Sequence, residues 1–317
     1  MATYNGASYI GAQLQSFLDQ TRLPDELVII DDCSHDATLK IVEVFADKAP
    51  FDVIIIRNEK NLGYCRSFNA ALMRTTGDLV FLSDQDDVWF AEKIAYMTEL
   101  AEQYPTSLVL LNDAAITDGN INEVGLTKIG QIKSSGLSLD SFVMGCCCAI
   151  RRQLLNLCLP IPEGYTSHDA WIVRFADGLK AKKVEHRVLQ YYRRHGNNES
   201  NFIANNTTKV TKYDRYARGL RKSLKCRNLQ AAENEIYQQI ILLNGIDVVI
   251  KSSDQSTQSL LTEYRSELYK SIETTKIHIQ IRKRPLITRI PTSIKYWLLN
   301  RSFTHFALKN LVQDILG

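Results

Sequence analysis

Two stretches decide the fold: Glu26-Leu27-Val28-Ile29-Ile30-Asp31-Asp32 and Leu79-Val80-Phe81-Leu82-Ser83-Asp84-Gln85-Asp86-Asp87. Each is a short apolar run that stops in carboxylates. Runs of this length read as strands buried on both faces. Helical spacing follows each of them, over residues 37–47 and 89–103. Residues 52–57 and 108–112 add two more strands, and 65–74 another helix. Such alternation predicts an α/β domain, a Rossmann-like, mostly parallel sheet flanked by helices. In such sheets ligands bind beyond the carboxyl ends of the strands, where both acidic clusters fall.

Further along, residues 113–140 are rich in Gly, Thr and Asn and read as a long loop. Residues 146–151 read as a strand, 152–159 as a short helix, and 167–178 as a helix entered through Ser167. Residues 184–194 read as one or two strands, and the chain beyond about 205 as polar helix. The expected division is a catalytic domain over 1–204 and a helical C-terminal region over 205–317. An α/β domain of this kind normally opens with a strand, whereas Met1–Gly6 reads as the loop after one. The expectation is a start upstream of Met1, or a sheet that lacks its opening element.

Composition narrows the class. Hydrophobic residues are 45% and charged residues 23%, which suits a folded globular chain and excludes wholesale disorder. A net charge of +3 is too small to argue for nucleic acid. Seven cysteines, three of them adjacent at 146–148, lack a Cys-x-x-Cys pair and read as reduced thiols in a cytosolic chain, mainly core residues. No apolar run approaches the length of a membrane span, and no secretory signal is visible.

Four clusters carry chemistry. Asp31-Asp32-Cys33-Ser34 can accept hydrogen bonds from a base or ribose, or cap a helix. Asp84 and Asp86, spaced Asp-x-Asp at a strand end, suit a hard divalent ion shared with a diphosphate, while Asp87 reads as a cap. Three carboxylates in four residues repel one another and call for a cationic neighbour. Asp169, in Ser167-His168-Asp169-Ala170-Trp171, is either a general base or an acid favoured in a first helical turn. His195, after Arg193-Arg194 and before Gly196-Asn197-Asn198, suits an anion or a metal.

In this order, these clusters and the segments Ala2–Gly6, Asn61–Tyr64, Leu82–Trp89 and His195–Asn198 resemble glycosyltransferase family 2, most of all its bacterial rhamnosyltransferase-like members. The resemblance spans roughly residues 1–200. It implies a GT-A fold and an inverting transfer from a nucleotide-sugar donor, with rhamnose from dTDP-rhamnose as the first guess and a UDP-hexose as the alternative. The implied acceptor is a hydroxyl of a cell-surface polysaccharide or a lipid-linked saccharide. Carried over, Thr3, Tyr4, Asn5, Asp31, Asp32, Arg66, Asp84 and Gln85 would bind the donor. Asp86 and His195 would hold Mg²⁺ or Mn²⁺, Asp169 would be the catalytic base, and His168 and Trp171 would face the acceptor. A nucleotidyltransferase is disfavoured because no Gly-rich basic loop stands near the N-terminus, and a non-catalytic nucleotide-sugar binder is the remaining alternative. Residues 277–316 mix apolar, aromatic and basic side chains, which predicts peripheral contact with a membrane surface.

Overall fold

The computed structural model describes residues 1–299, 311, 314 and 315, apart from 197, 199, 201 and 226–228. The chain divides into two units, Met1–Thr211 and Lys212–Gly317.

The first unit opens with β1 (Ala2–Thr3), α1 (Ile10–Leu18), β2 (Glu26–Asp31), α2 (Thr38–Ala46), β3 (Asp52–Arg57) and α3 (Tyr64–Leu72). Strands β1, β2 and β3 form a parallel sheet in that order, with Thr3 opposite Asp31. The period of two along β2 explains its layers. Leu27 and Ile29 enter a core with Ile10, Leu14 and Phe17 of α1 and Val42 of α2, whereas Val28 and Ile30 pack with Ala71 of α3. Burial on both faces is why β2 reads as an unbroken apolar run. Residues 1–6 are therefore more than a loop. Ala2–Thr3 is a strand end, Asp32 N–H donates to Thr3 O at 2.8 Å, and Thr3 is buried. Below this stub, β2 and residues 79–81 border a cavity of about 400 Å³ lined by Met1, Leu27, Val28, Leu79, Phe81 and Trp89.

The second sheet is mixed. It contains β4 (Leu79–Phe81), β5 (Val88–Trp89), β6 (Val109–Thr117), β7 (Glu123–Thr127), β8 (Cys148–Arg151) and β9 (Lys182–Arg193). Its order is β4-β8-β6-β9-β5, with β7 on β6. The pairing is parallel only between β6 and β9; β4–β8, β6–β8, β6–β7 and β5–β9 run antiparallel. Parallel pairing thus dominates the first sheet and not the second. Helices α4 (Lys93–Gln103), α5 (Lys128–Ser134), α6 (Arg152–Cys158) and α7 (His168–Gly178) complete the unit.

Several sequence expectations shift. Trp89 belongs to a strand, where its ring meets Phe17 at 4.9 Å, and α4 begins only at Lys93. The expected loop over 113–140 is mostly ordered: β6 continues to Thr117, turns back as β7 and enters α5. The polar pair Asn112-Asp113 hides this continuation in the sequence. Both residues are buried: Asn112 Nδ2 donates to Asp113 O at 2.7 Å while its Oδ1 is left without a partner, and Asp113 Oδ1 accepts from Ile129 N–H at 2.9 Å. Cys146 and Cys147 lie in a 3-10 turn, and only Cys148 starts a strand.

The second unit holds α8 (Lys212–Lys225), α9 (Leu229–Ser252), α10 (Gln255–Arg282) and α11 (Leu286–Leu299). Leu242, Ile246 and Val249 of α9 and Leu261, Leu268 and Ile272 of α10 are among its buried apolar residues. Asp254 caps α10 by accepting from Thr257 N–H at 2.9 Å. Cys226, Arg301 and Lys309 fall outside the described residues.

Trp171, on α7, is 2% exposed, donates from its indole N–H to Cys158 O at 2.6 Å and meets the Tyr165 ring edge-on at 4.9 Å. A Trp171→Ala variant is expected to lose about 3–5 kcal/mol of unfolding free energy in urea titration. A loss under about 1 kcal/mol would contradict the packing role.

Candidate active site

Both carboxylate-bearing strand ends point to one edge of the first unit, built from three loops. The first loop follows β2. Thr3 Oγ1 donates to Asp31 Oδ1 at 3.0 Å, and Ser34 donates to the same carboxylate from N–H at 2.9 Å and from Oγ at 2.6 Å. Asp32 accepts from Asn58 Nδ2, Leu62 N–H and Gly63 N–H, each at 2.8 Å. Gly63 needs this hold because it sits at φ 84° just before α3. Asp31 and Asp32 are 1% and 3% exposed. Their acceptor capacity is largely spent on protein donors. They shape the loops around Tyr4, Asn5 and Cys33 rather than standing open to a ligand. Asn5 itself is fixed on both sides: its N–H donates to Ser34 Oγ at 3.0 Å and its Oδ1 accepts from His35 N–H at 2.9 Å.

The second loop, 83–87, is clasped to the first. Tyr4 N–H donates to Gln85 Oε1 at 2.9 Å, and Gln85 Nε2 returns a bond to Tyr4 O at 3.0 Å. Gly6 makes room for this clasp, since a Cβ there would stand 2.2 Å from Gln85 Oε1.

The acids that follow are held differently from one another. Asp86 Oδ2 meets His195 Nε2 at 2.8 Å and accepts from Asn198 Nδ2 at 2.9 Å. His195 in turn stacks on Tyr9 at 4.3 Å. Asp87 is fully buried, where it accepts from Gln190 Nε2 at 2.9 Å and Arg193 N–H at 3.3 Å. Lys93, also fully buried, donates to Gln190 Oε1 and to Cys146 O. Arg193 donates from Nε to Asp86 O at 2.8 Å and from Nη1 to Gly119 O at 3.0 Å, and its Nη2 is buried without a partner. Of the cations nearby, Lys93 reaches Asp87 through Gln190, and Arg193 holds the acidic loop through its backbone N–H on Asp87 and its Nε on Asp86 O.

The third loop brings Asp169 to the same place. The 3-10 turn at Gly145–Cys147 carries Gly145 N–H to Asp169 Oδ2 at 3.1 Å, while Oδ1 accepts from Ser167 Oγ at 2.7 Å and Ala170 N–H at 2.8 Å. A Cβ on Gly145 would come within 3.1 Å of His168 Nε2 and 3.4 Å of Asp169 Cβ. The same turn presents Cys146, whose Sγ lies with carboxylate oxygens of Asp84 and Asp87 inside a 4.8 Å span. Burial, then Asp86 and then Asp169 raise the Asp84 carboxyl to about 7. Burial, then Asp86 and then Asp84 push the Asp87 carboxyl well above the ordinary aspartate range. Burial lowers His168 to about 4, so the ring is neutral at physiological pH.

With this geometry in place, comparison with known proteins is informative. Residues 1–158 match the model for "Glycosyl transferase family 2". The chain belongs to glycosyltransferase family 2. A "dTDP-rhamnosyl transferase" of Shigella flexneri is 35% identical over 98 residues, covering 30% of this chain and 34% of that protein. A "UDP-Glc:alpha-D-GlcNAc-diphosphoundecaprenol beta-1,3-glucosyltransferase" of Escherichia coli is 31% identical over 129 residues, covering 41% and 47%. The aligned regions thus span less than half the length of either relative. The crystal structure of S. aureus TarS 1–349 with UDP matches 99% of this chain and 87% of its own at TM-score 0.52 and 20% identity, a likeness that carries the GT-A fold with its helical extension.

Within this family 2 frame, some residues named from the sequence meet and others do not. Asp84, Asp86, Asp169 and His195 converge with Tyr4 and Gln85 at one edge. Arg66 is turned away to brace the loop before α7: it donates from Nη1 to Ile161 O at 3.0 Å and from Nη2 to Tyr165 O at 3.4 Å. Its assignment to the diphosphate is therefore corrected. Trp171 is core, with no face left for an acceptor, and that assignment is corrected too. His168 is buried and stacked on Phe68 at 3.8 Å. Its two nitrogens lie unpartnered behind Asp169 rather than at an exposed surface. Asp87 caps no helix, since the strand β5 follows it directly. Cys146 and Gly145 were missed because three adjacent cysteines carry no spacing signal, and only the 3-10 turn aims Cys146 at the acids.

A free aspartate titrates near 4. In the folded protein Asp84 does so at about 7, and Asp87 too is raised well above the free value, so the native state holds extra protons across the window between the free and the folded value. Stability therefore falls as pH rises through it. In EDTA the thermal midpoint is expected to drop between about pH 4 and about pH 7, and saturating Mn²⁺ or Mg²⁺ to offset the drop by binding the deprotonated carboxylates. A midpoint that tracks pH identically with and without the ion would contradict an ion-binding role for these acids.

Proposed function

We propose that the protein transfers a sugar, with inversion, from a nucleotide-sugar donor to a hydroxyl of a saccharide or lipid-linked saccharide acceptor. The observation that carries this reading is the convergence of Asp84 and Asp86 with Asp169 across the Gly145 turn. The names of the Shigella and E. coli relatives point to dTDP-rhamnose as the first donor to try and UDP-glucose as the second. The E. coli relative's name, with its diphosphoundecaprenol, supports a lipid-linked acceptor.

A divalent ion fits the residues present: Asp84, Asp86 and Asp87 offer hard oxygens, with Cys146 and His195 beside them. Such an ion, when bound, would offset charge on the departing nucleoside diphosphate. The chain's own residues do the rest. The Tyr4–Gln85 clasp joins the loop on the donor side to the loop of acids. Asp169 is oriented by Ser167, Ala170 and Gly145, and it keeps lone pairs for the proton of an acceptor hydroxyl. As that proton leaves, the oxygen attacks the anomeric carbon opposite the leaving group. One displacement inverts the centre, and no enzyme nucleophile is used.

The test is release of dTDP or UDP from a panel of donors with Mn²⁺, with Mg²⁺ and with EDTA. One donor should be hydrolysed slowly, with the signal lost in EDTA and in Asp86→Ala. Asn198→Ala removes a hydrogen bond that orients Asp86, and a roughly 10–100-fold loss is expected. Absence of turnover and of a donor-induced thermal shift for every donor would overturn the reading.

A further inference from the structure

Helix α11 inverts the usual amphipathic order. Arg289 and Ser293 point into its own unit, at 5% and 2% exposure. Ile287, Ile290, Ile294 and Leu298 point outward, at 88%, 37%, 41% and 43%. Those four positions, i, i+3, i+7 and i+11, form one stripe along an α-helix. A surface helix ordinarily turns such a stripe to the core. Here the solvent side is apolar over three turns, and Pro291 lies on the same side. Scattered exposed isoleucines need no explanation, but an aligned stripe marks an interaction surface.

Charge says what covers it. Lys276, Arg282, Lys283, Arg284, Arg289, Lys295, Arg301 and Lys309 stand in residues 276–317 against a single acid, Asp314. That acid is already engaged, accepting from Arg282 Nε at 2.9 Å and meeting His278. Lys283 pairs with Glu233 at 2.8 Å, while Arg284 and Lys295 are exposed. A second copy would bring the same positive charges against each other. An anionic surface would complement them. Among the described residues no helix is long and apolar enough to cross a membrane, so the contact is one of lying on the surface.

We propose that α11 docks on an anionic bilayer, with Ile287, Ile290, Ile294 and Leu298 in the headgroup boundary and Arg284 and Lys295 at the phosphates. The inference stands independently of which sugar the first unit transfers.

The experiment is flotation of the full-length protein with vesicles of phosphatidylglycerol and phosphatidylcholine, beside vesicles of phosphatidylcholine alone. Binding is expected to the anionic vesicles, weaker to the neutral ones, and to fall with added salt. An Ile287→Ser/Ile294→Ser variant should bind on the order of tenfold or more weakly. Its circular dichroism and thermal midpoint should not change, because both side chains are exposed. Arg284→Gln/Lys295→Gln should erase the preference for anionic lipid. No flotation of the native protein would overturn the proposal. So would loss of a dimer, seen by light scattering in the isoleucine variant, with no vesicle binding by the parent, since the stripe would then join two copies.

Discussion

Placing Asp84, Asp86 and Asp87 within four residues at the end of one strand creates a local field that the fold must answer. Like charges in a partly dry site raise one another's pKa and oppose ionisation. Each acid meets this constraint differently. Asp87 is sealed in with Gln190, Lys93 and Arg193 behind it. Asp86 is held by His195 and Asn198. Asp84 keeps the least protein support, and its carboxyl is raised to about 7. The order runs from structural, through positioned, to available. It explains why β9, far along the chain, has to pair with β5: the residues it contributes, Gln190 and Arg193, keep the acids folded in place.

The donor side obeys the opposite logic. Asp31 and Asp32 are buried but crowded with donors, so each carboxylate organises a loop instead of repelling a neighbour. Asp32 gathers three donors from residues 58–63, which fixes the entry to α3. Asp31 fastens β1 to the loop at Ser34. The Tyr4–Gln85 clasp then links this scaffold to the acids, so a disturbance in either loop reaches the other.

Much of this was legible in the residues. Apolar runs marked β2 and the start of β6, because burial on both faces leaves an unbroken signature, and β3 carries the same run although it is only partly buried. The acid clusters appeared where parallel strands end. What could not be read had physical reasons. The second sheet's antiparallel pairings depend on partners far apart in sequence, and no local period encodes them. Asn112 and Asp113 hid the length of β6 because a polar pair breaks the apolar run, although both are buried and Asp113 accepts from Ala114 N–H and Ile129 N–H inside the core. Arg66 looks like a phosphate ligand by residue type, but three carbonyls of the 161–165 loop claim it. Trp171 sits beside a candidate base in sequence, yet the helical period turns it to the opposite face. Cys146 has no motif at all; only a 3-10 turn brings its sulfur to the acids.

The all-buried strand β6 has a consequence for how the chain is made. The parallel three-stranded sheet and its helices α1, α2 and α3 use only the first 72 residues. That nucleus can close early on a chain leaving the ribosome, since its contacts are short-range. β6 must wait, because its partners β8 and β9 end at Arg151 and Arg193. Between those moments a nine-residue strand, apolar but for three polar positions, stands with the edge that β9 will pair still open. Synthesis of this unit therefore passes through a window of aggregation risk set by topology, which closes only when β9 arrives with the residues that steady the acids.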